Sequence, residues 1–503
     1  MIKFPFENLS DCIFHHALWQ PAAPALIQGH ETVSYQALAN LVEQAAVYLR
    51  AKGVMPGNRV GIAMTNCIDR VVVSFACLRM GAVTLELPTD ITAPVLASFV
   101  TRFNMAATIV EIGGPNSTAP IALRLGLDWR QALVNFTGDA RYEGDSSALT
   151  FIILSSGSTG LPKGTITTHR QRIFRSEVYA NEAGFYTEEN PGVLVLAAPA
   201  STSLLAQFLT TQLLIGGATV LLPVWRYLIE LVREIAAWED SICPVPPVIG
   251  KSFLSCAPSS GLLFPKMRAL AISGQTLPSH DKVEMVKHLT PNLYDIYGCA
   301  GFGLIACIGP ADIADQSDSV GKPLVLPGVD VEVAGPDGKT LLPGAIGQLR
   351  VRGPNAASGF YHPEDNNHGT ERFADGWYYP GEVALIDKAG YLILAGRIAD
   401  AIKIGALTIY PPEIEEVITQ HPQVAEAVVV GRPGPAGVDE IYAFVVGKPG
   451  YRQDEINAYC RRKFTGLKKP KYVYYFERIP RTANGKIDRP ALKAAAVRRI
   501  DPL

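Results

Sequence analysis

Leu149-Thr150-Phe151-Ile152-Ile153-Leu154-Ser155-Ser156-Gly157-Ser158-Thr159-Gly160-Leu161-Pro162-Lys163-Gly164 joins an apolar run to a loop made almost wholly of Ser, Gly and Thr. The run from Leu149 to Leu154 reads as a buried strand. The loop that follows offers backbone N–H groups and hydroxyls to phosphate oxygens, its glycines let the chain approach closely, and Lys163 supplies charge. This pattern is a phosphate cradle, with Ser155, Ser156, Gly157, Ser158, Thr159, Gly160 and Lys163 as candidate contacts. It is not the Walker form, because no Gly-Lys-Ser/Thr triplet opens a helix. A plain surface turn of the same composition would need neither the strand before it nor the Pro-Lys-Gly that closes it.

Upstream of the cradle, Leu38, Leu41, Ala45 and Leu49 recur at helical spacing and Gly53 ends the run. Val60 to Met64 reads as a short buried strand, Val71 to Leu78 as a helix, and Ala82 to Thr84 as the next strand. This alternation predicts an α/β fold built in layers. Downstream, nothing from Asn190 to Trp225 is charged, which imitates a membrane span. Pro199, Ser201-Thr202-Ser203 and Gly216-Gly217 break that stretch into strand, loop, helix and strand, so it is assigned to the core, with the polar cluster facing a pocket. The last hundred or so residues follow a shorter α+β pattern: Pro411-Pro412 opens a helix, and strands follow at Ala427 to Val430, Tyr442 to Val446 and Tyr472 to Phe476. The expected division is a large N-terminal domain over 1–399, a boundary at Asp400, and a small α+β domain over 401–503.

Composition limits what this chain does. Its 503 residues, 48% apolar and 18% charged, exceed what one core usually holds, so at least two domains are expected. A formal charge of −2 provides no field that would attract nucleic acid or an anionic membrane. The eight cysteines show no metal or redox spacing, and the N-terminus has no secretory pattern, which together predict a cytoplasmic enzyme.

The cradle closely resembles the phosphate loop of the adenylate-forming superfamily (acyl-CoA synthetases, adenylation domains and luciferases), and the resemblance continues in order to the C-terminus. Gly274-Gln275-Thr276 resembles the loop that contacts adenine, and Tyr294-Asp295-Ile296-Tyr297-Gly298 the segment whose tyrosine stacks on it. That likeness places Asp295, Tyr297 and Gly298 at the nucleotide. Gly376-Trp377-Tyr378-Tyr379-Pro380-Gly381-Glu382 and Gly396-Arg397-Ile398-Ala399-Asp400 resemble the ribose-binding and hinge motifs, which assigns the ribose hydroxyls to Glu382, a bracing role to Arg397 and domain rotation to Asp400. Pro480-Arg481-Thr482-Ala483-Asn484-Gly485-Lys486-Ile487-Asp488-Arg489 resembles the final motif, whose lysine, here Lys486, enters the site for adenylation. A carboxylate is already ionised at neutral pH and is itself the nucleophile; the chemistry needs a cation to bring it to a triphosphate. The resemblance implies ATP, Mg2+ and CoA as cofactors and a small-molecule carboxylic acid as substrate.

Four features depart from the superfamily pattern. Ala300 and Gly301 stand where a hydroxyl residue and a metal-binding glutamate are usual, Thr202 or Ser203 where many ligases carry an aromatic or a histidine, Glu382 for aspartate, and Gly405-Ala406 for paired glycines near the pantetheine tunnel. Thr202, Ser203, Leu204, Ala300, Gly301 and Phe302 form the expected acid pocket. The leading expectation is an acid-CoA ligase. Its rivals are an enzyme loading a separate acyl carrier protein, since no carrier-type segment follows Leu503; a noncatalytic nucleotide- or acyl-binding homologue, favoured by Ala300 and Gly301; and a peripheral membrane protein. Because residues 190–225 hold no acidic side chain to anchor an α-ammonium, an amino acid would lose solvation there without compensation. The acid is therefore expected to be aryl, branched or medium-length aliphatic. Across a substrate panel, standard amino acids should give no pyrophosphate release above background, and an amino acid as the best substrate would refute this.

Overall fold

The computed structural model describes residues 2–126, 128–155, 163–187, 189–198, 203–367, 372–404, 407–434, 438–482 and 486–500, with backbone alone at 155, 203, 204, 367 and 497–500. Within them, successive residues of the central strands turn to opposite cores, as a pleat requires. Leu194, Leu196, Leu221, Ile242 and Ala271 face one core; Val195, Val220, Leu222, Cys243 and Ile272 face another. In the second sheet, Val60, Ile62, Ala107 and Ile109 point to the first of these cores, and Ala63, Leu85, Val110 and Ile152 to a third. Two sheets thus share one inner core filled by helices, and each covers its outer face separately. Strands buried on both faces explain the uninterrupted apolar runs of the sequence.

The nine-stranded sheet is parallel through its middle, where Ala269–Ser273 lies between Ser241–Val245 and Leu293–Cys299, and antiparallel at its edges. In the seven-stranded sheet, Leu149–Ser155 runs parallel to Val83–Glu86 and antiparallel to Lys163–Thr168. The charge-free segment resolves into strand Val193–Leu196, helix Ser203–Leu214 and strand Ala218–Leu221. Among the described residues no helix is long and apolar enough to cross a membrane. An antiparallel six-stranded sheet follows, ending in Glu382–Ile386 and Leu392–Arg397.

After a short 3-10 turn at Ile398–Asp400 the chain builds cores of its own. Val424–Pro433 and Asp439–Gly447 pair antiparallel, and Tyr472–Tyr475 joins in parallel. One face packs Val429, Ala443 and Val445 against Ile414, Ile418 and Ile456; the other packs Val428, Val430 and Phe444 against Leu492 and Ala496. The protein is a mixed α/β molecule with a large N-terminal region of sheets and helices and a smaller C-terminal one.

One polar contact ties a helix to the central sheet. Lys282, on helix Ser279–His288, meets Asp295 at 2.8 Å and donates to the Ser319 carbonyl at 2.6 Å, with both charged side chains only 2–3% exposed. Burial holds the Asp295 carboxyl above its ordinary range, and Lys282 opposes that shift. Lys282→Met would leave a buried carboxylate uncompensated, a loss of about 3–5 kcal/mol. Denaturant unfolding checks this, and a change under about 1 kcal/mol would mean that the pair adds little.

Candidate functional site

Sequence motifs collect where strands end. Gly274-Gln275-Thr276 follows Ala269–Ser273, and the turn at 299–302 follows Leu293–Cys299; in chain order the phosphate loop comes directly after Leu149–Ser155. The carboxyl ends of parallel strands are where open α/β sheets hold ligands. Of the phosphate loop, Ser156, Gly157, Ser158, Thr159 and Gly160 lie outside the described residues, as do Thr202 and Gly405-Ala406. Ser155 is the Cα partner of Lys163 across the loop's base. Ser203 and Leu204 open the helix Ser203–Leu214. A Cβ at Gly164 would come within 2.6 Å of both Ile152 and Phe103, so this end of the loop admits only glycine. Lys163 donates to the Asp365 carbonyl at 2.6 Å and lies 5.5 Å from the Phe360 ring centroid. Burial, with Arg372 and Arg102 nearby, lowers its pKa against the pull of Asp365.

Glu382 and Arg397 face each other across an antiparallel pair. Arg397 gives Nε and Nη2 to the same carboxylate oxygen, Oε1, at 3.1 and 3.0 Å. The other oxygen, Oε2, and the Tyr297 hydroxyl are both buried, and neither makes a well-formed hydrogen bond among the described residues. Burial raises the Tyr297 pKa, and Glu382 adds to the shift, which places the two groups side by side. A free buried acceptor next to a phenol is what a sugar hydroxyl would satisfy. Arg397 is 58% exposed, so its outer edge is open to a ligand.

Lys486 comes from the C-terminal region into this same group. Thr482 N–H donates to the Lys486 carbonyl and Asp488 N–H to the Pro480 carbonyl, which folds the segment back on itself. Protein packed around the ammonium lowers its pKa, Arg397 lowers it further, and Glu382 and Cys299 oppose; the residue still keeps solvent-accessible surface. Arg481 reaches Gln275 at 3.5 Å and pairs with Glu426 at 2.5 Å, so the C-terminal segment also touches the Gly274–Thr276 turn. Gly274 takes φ +96° with open space beyond it, and Thr276 is exposed. Asp400 does not pair with Arg397. Its partner is Arg489, at 3.3 Å, which also holds Glu415 at 2.9 Å.

Two expected site residues sit elsewhere. Asp295, placed at the nucleotide by resemblance, is 2% exposed and taken up by Lys282, because the strand's pleat turns it into the sheet. Phe302, expected in the acid pocket, is fully buried in the central core. Gly298 has its missing Cβ position 2.4 Å from the Gly303 carbonyl, so it serves the close turn at 299–302. Space left by Gly301 is not available to an acyl group: a Cβ there would lie 2.2 Å from the Tyr378 ring. Among the described residues no group of three or more His, Cys, Asp or Glu side chains could hold a metal. The residues at 300, 301 and 378 do not build a protein carboxylate site for Mg2+.

The family model described as AMP-binding enzyme matches residues 13–361, well over half the chain. The chain belongs to the AMP-binding enzyme family. The model of the AMP-binding enzyme C-terminal domain matches residues 413–486. Relatives of this AMP-binding protein include a long-chain-fatty-acid–CoA ligase of Salmonella typhimurium, 26% identical over 99% of this chain and 96% of that one. Another is the fatty acid–[acyl-carrier-protein] ligase ScoC of Streptomyces coeruleorubidus, 26% identical over 97% and 96%. In fold, it is similar to ATP-bound MatB from Rhodopseudomonas palustris, with a TM-score of 0.85, 23% identity and coverage of 97% and 99%.

Sequence reasoning passed over Tyr378, Arg172 and Arg175. Tyr378 stands in the sequence only as part of a ribose motif, yet its ring fills the space beside Gly301 and packs, tilted, against Phe373 with ring centroids 4.8 Å apart. Gly301→Ala should cost about 1–3 kcal/mol by overpacking, and Tyr378→Ala should relieve it, so the double variant should lose less than the sum of the single losses. Denaturant melts of all four proteins check this. Additive losses would show that the ring moves aside freely.

Proposed function

We propose that this protein is an acid–thiol ligase of AMP-forming type. It joins a carboxylic acid to the α-phosphate of ATP, releasing pyrophosphate, and then passes the acyl group to the sulfur of CoA, releasing AMP. The observation that carries this reading is Lys486, brought from the C-terminal region to the Glu382–Arg397 pair with its ammonium partly open to solvent. In that place Lys486 and Arg397 lower the repulsion between an incoming carboxylate and the phosphates. The free Oε2 of Glu382 accepts a ribose hydroxyl, with Tyr297 beside it, and the sugar is thereby held while charge moves at phosphorus. Mg2+, when present, neutralises phosphate charge and is carried by the nucleotide's own oxygens and water, which suits an ion that needs few protein carboxylates. Thiol attack needs Lys486 withdrawn to clear a path, and rotation about Asp400 is the motion that does this.

CoA as acceptor is supported by the CoA ligase among the relatives, which the chain covers almost end to end. The carrier-protein ligase at equal identity favours a second reading, in which the acceptor is the pantetheine thiol of a separate acyl carrier protein. Acid-dependent pyrophosphate release, measured over a broad panel of acids with CoA, with a carrier protein and with neither, tests the reaction and the acceptor together. Lys486→Ala is expected to lower the adenylation rate at least about a hundredfold. Thioester formation from a supplied acyl-adenylate should stay within about threefold of wild type. Equal loss in both half-reactions would refute the alternation.

A further inference from the structure

Helix His169–Glu182 carries two arginines, Arg172 and Arg175, one turn apart and each only 1% exposed. Neither forms an ion pair among the described residues. Arg175 gives Nε to the Asn355 carbonyl at 2.9 Å and Nη1 to the Ala300 carbonyl at 3.0 Å, while its Nη2 is buried without a partner among the described residues. Arg172 lies with its guanidinium 4.8 Å from the Phe151 ring centroid, and both its Nε and its Nη2 are buried without partners among the described residues. Burial and mutual repulsion lower Arg172 to about 9, and burial lowers Arg175 to about 10, so both stay cationic at neutral pH. The facing helix Ser203–Leu214 and the polar segment before it come from the stretch that holds no acidic residue at all. That helix brings Gln207, whose amide donates to Ser176, the residue after Arg175 and one turn on from Arg172.

Two buried guanidiniums without a carboxylate are a costly arrangement unless an anion neutralises them. Their location says which anion. Arg175 holds the carbonyl of Ala300, in the turn directly after the strand that carries Tyr297, and Arg172 packs on the strand that leads into the phosphate loop. Arg175 thus lies against the turn that the sequence assigns to the acid pocket, and the proposed reaction directs the end of the acid remote from Lys486 and Arg397 towards that turn. We propose that Arg172 and Arg175 form a receptor for a second negative charge, so that the acid activated here carries an acidic group at its far end, as a dicarboxylic acid does. This rests on the reading of the site as acid-adenylating, and it narrows the aryl or aliphatic acid expected from the sequence to one with an anionic terminus. The unpaired N–H groups on both side chains suit a carboxylate, which accepts at two oxygens.

The test compares straight-chain and aromatic dicarboxylic acids with their monoamides, which keep the shape and remove the distal charge. Wild-type kcat/KM for pyrophosphate release should favour the best dicarboxylic acid over its monoamide by about tenfold or more, most of it in KM. The same dicarboxylate should raise the melting temperature of the nucleotide-free protein, and its monoamide should not. Arg172→Met and Arg175→Met should bring the preference towards unity, with Arg172→Lys retaining part of it. Monoamides or simple monocarboxylic acids turning over and stabilising as well as dicarboxylates would overturn the proposal while leaving acid activation intact. Stabilisation by the dicarboxylate without pyrophosphate release would uphold the receptor and overturn the reaction. The wild-type comparison decides even if the methionine variants do not fold.

Discussion

Arg397 spends both of its directed N–H contacts on one oxygen of Glu382 and leaves the other oxygen buried and free. Much of the molecule is arranged around that unbalanced pair. It is held by register, since the two residues are direct partners on adjacent antiparallel strands, so neither side chain has to search for the other. The chain passes from Arg397 straight into the turn at Ile398–Asp400 and on to the C-terminal region, and Lys486 returns from that region to the same charges. A pair worth little as a surface contact becomes consequential because its acceptor is buried and its cation half-open.

The C-terminal region is secured by a different cation. Arg489 binds Asp400 at the start of that region, Glu415 on the helix Pro411–Thr419 and the Val429 carbonyl on the strand behind it. Burial raises the Glu415 pKa against the pull of Arg489, so the arginine is what keeps that carboxylate tolerable inside. Arg489 thus joins the turn, a helix and a sheet of the C-terminal region. Arg481 also reaches across to Gln275 of the N-terminal region at 3.5 Å, a longer contact than its 2.5 Å pairing with Glu426 inside the C-terminal region.

Legibility in the sequence followed the range of the interactions. Strand Leu149–Ser155, helix Tyr35–Ala51, helix Ile68–Arg79 and the strand–helix–strand of the charge-free segment were all visible, because apolar period and breakers act over a few residues. Glu382, Arg397 and Lys486 were visible through short motifs. Asp295 was misplaced because a motif names neighbours along the chain, whereas burial on a strand is decided by what lies across the sheet, here Lys282; Phe302 was misplaced because the turn that carries it packs into the central core. Tyr378 escaped because its significance depends on Gly301, in another sheet. The arginines could have been found: the inward stripe of their helix runs His169, Arg172, Ser176 and Tyr179, and a charged residue on such a stripe is a question the sequence already asks.

The exchange of a carboxylate for an aromatic ring at Gly301 alters the charge balance of the whole site. With glycine there and Tyr378 in the space, the turn at 299–302 offers no anion, while Arg397 and Lys486 stand on its open side and Arg175 behind Ala300. Under the proposed function, a site with this surplus of fixed positive charge would stabilise a triphosphate and a dianionic acid through its own side chains. In the free protein the surplus has a cost, because the guanidiniums behind Ala300 have lost water and gained no counter-ion. Bound anions return that free energy, so affinity and stability rise together as the site fills. The small residues at 300 and 301 and the buried arginines are then parts of one adjustment: removal of a protein carboxylate makes room, electrostatically, for a carboxylate that arrives with the substrate.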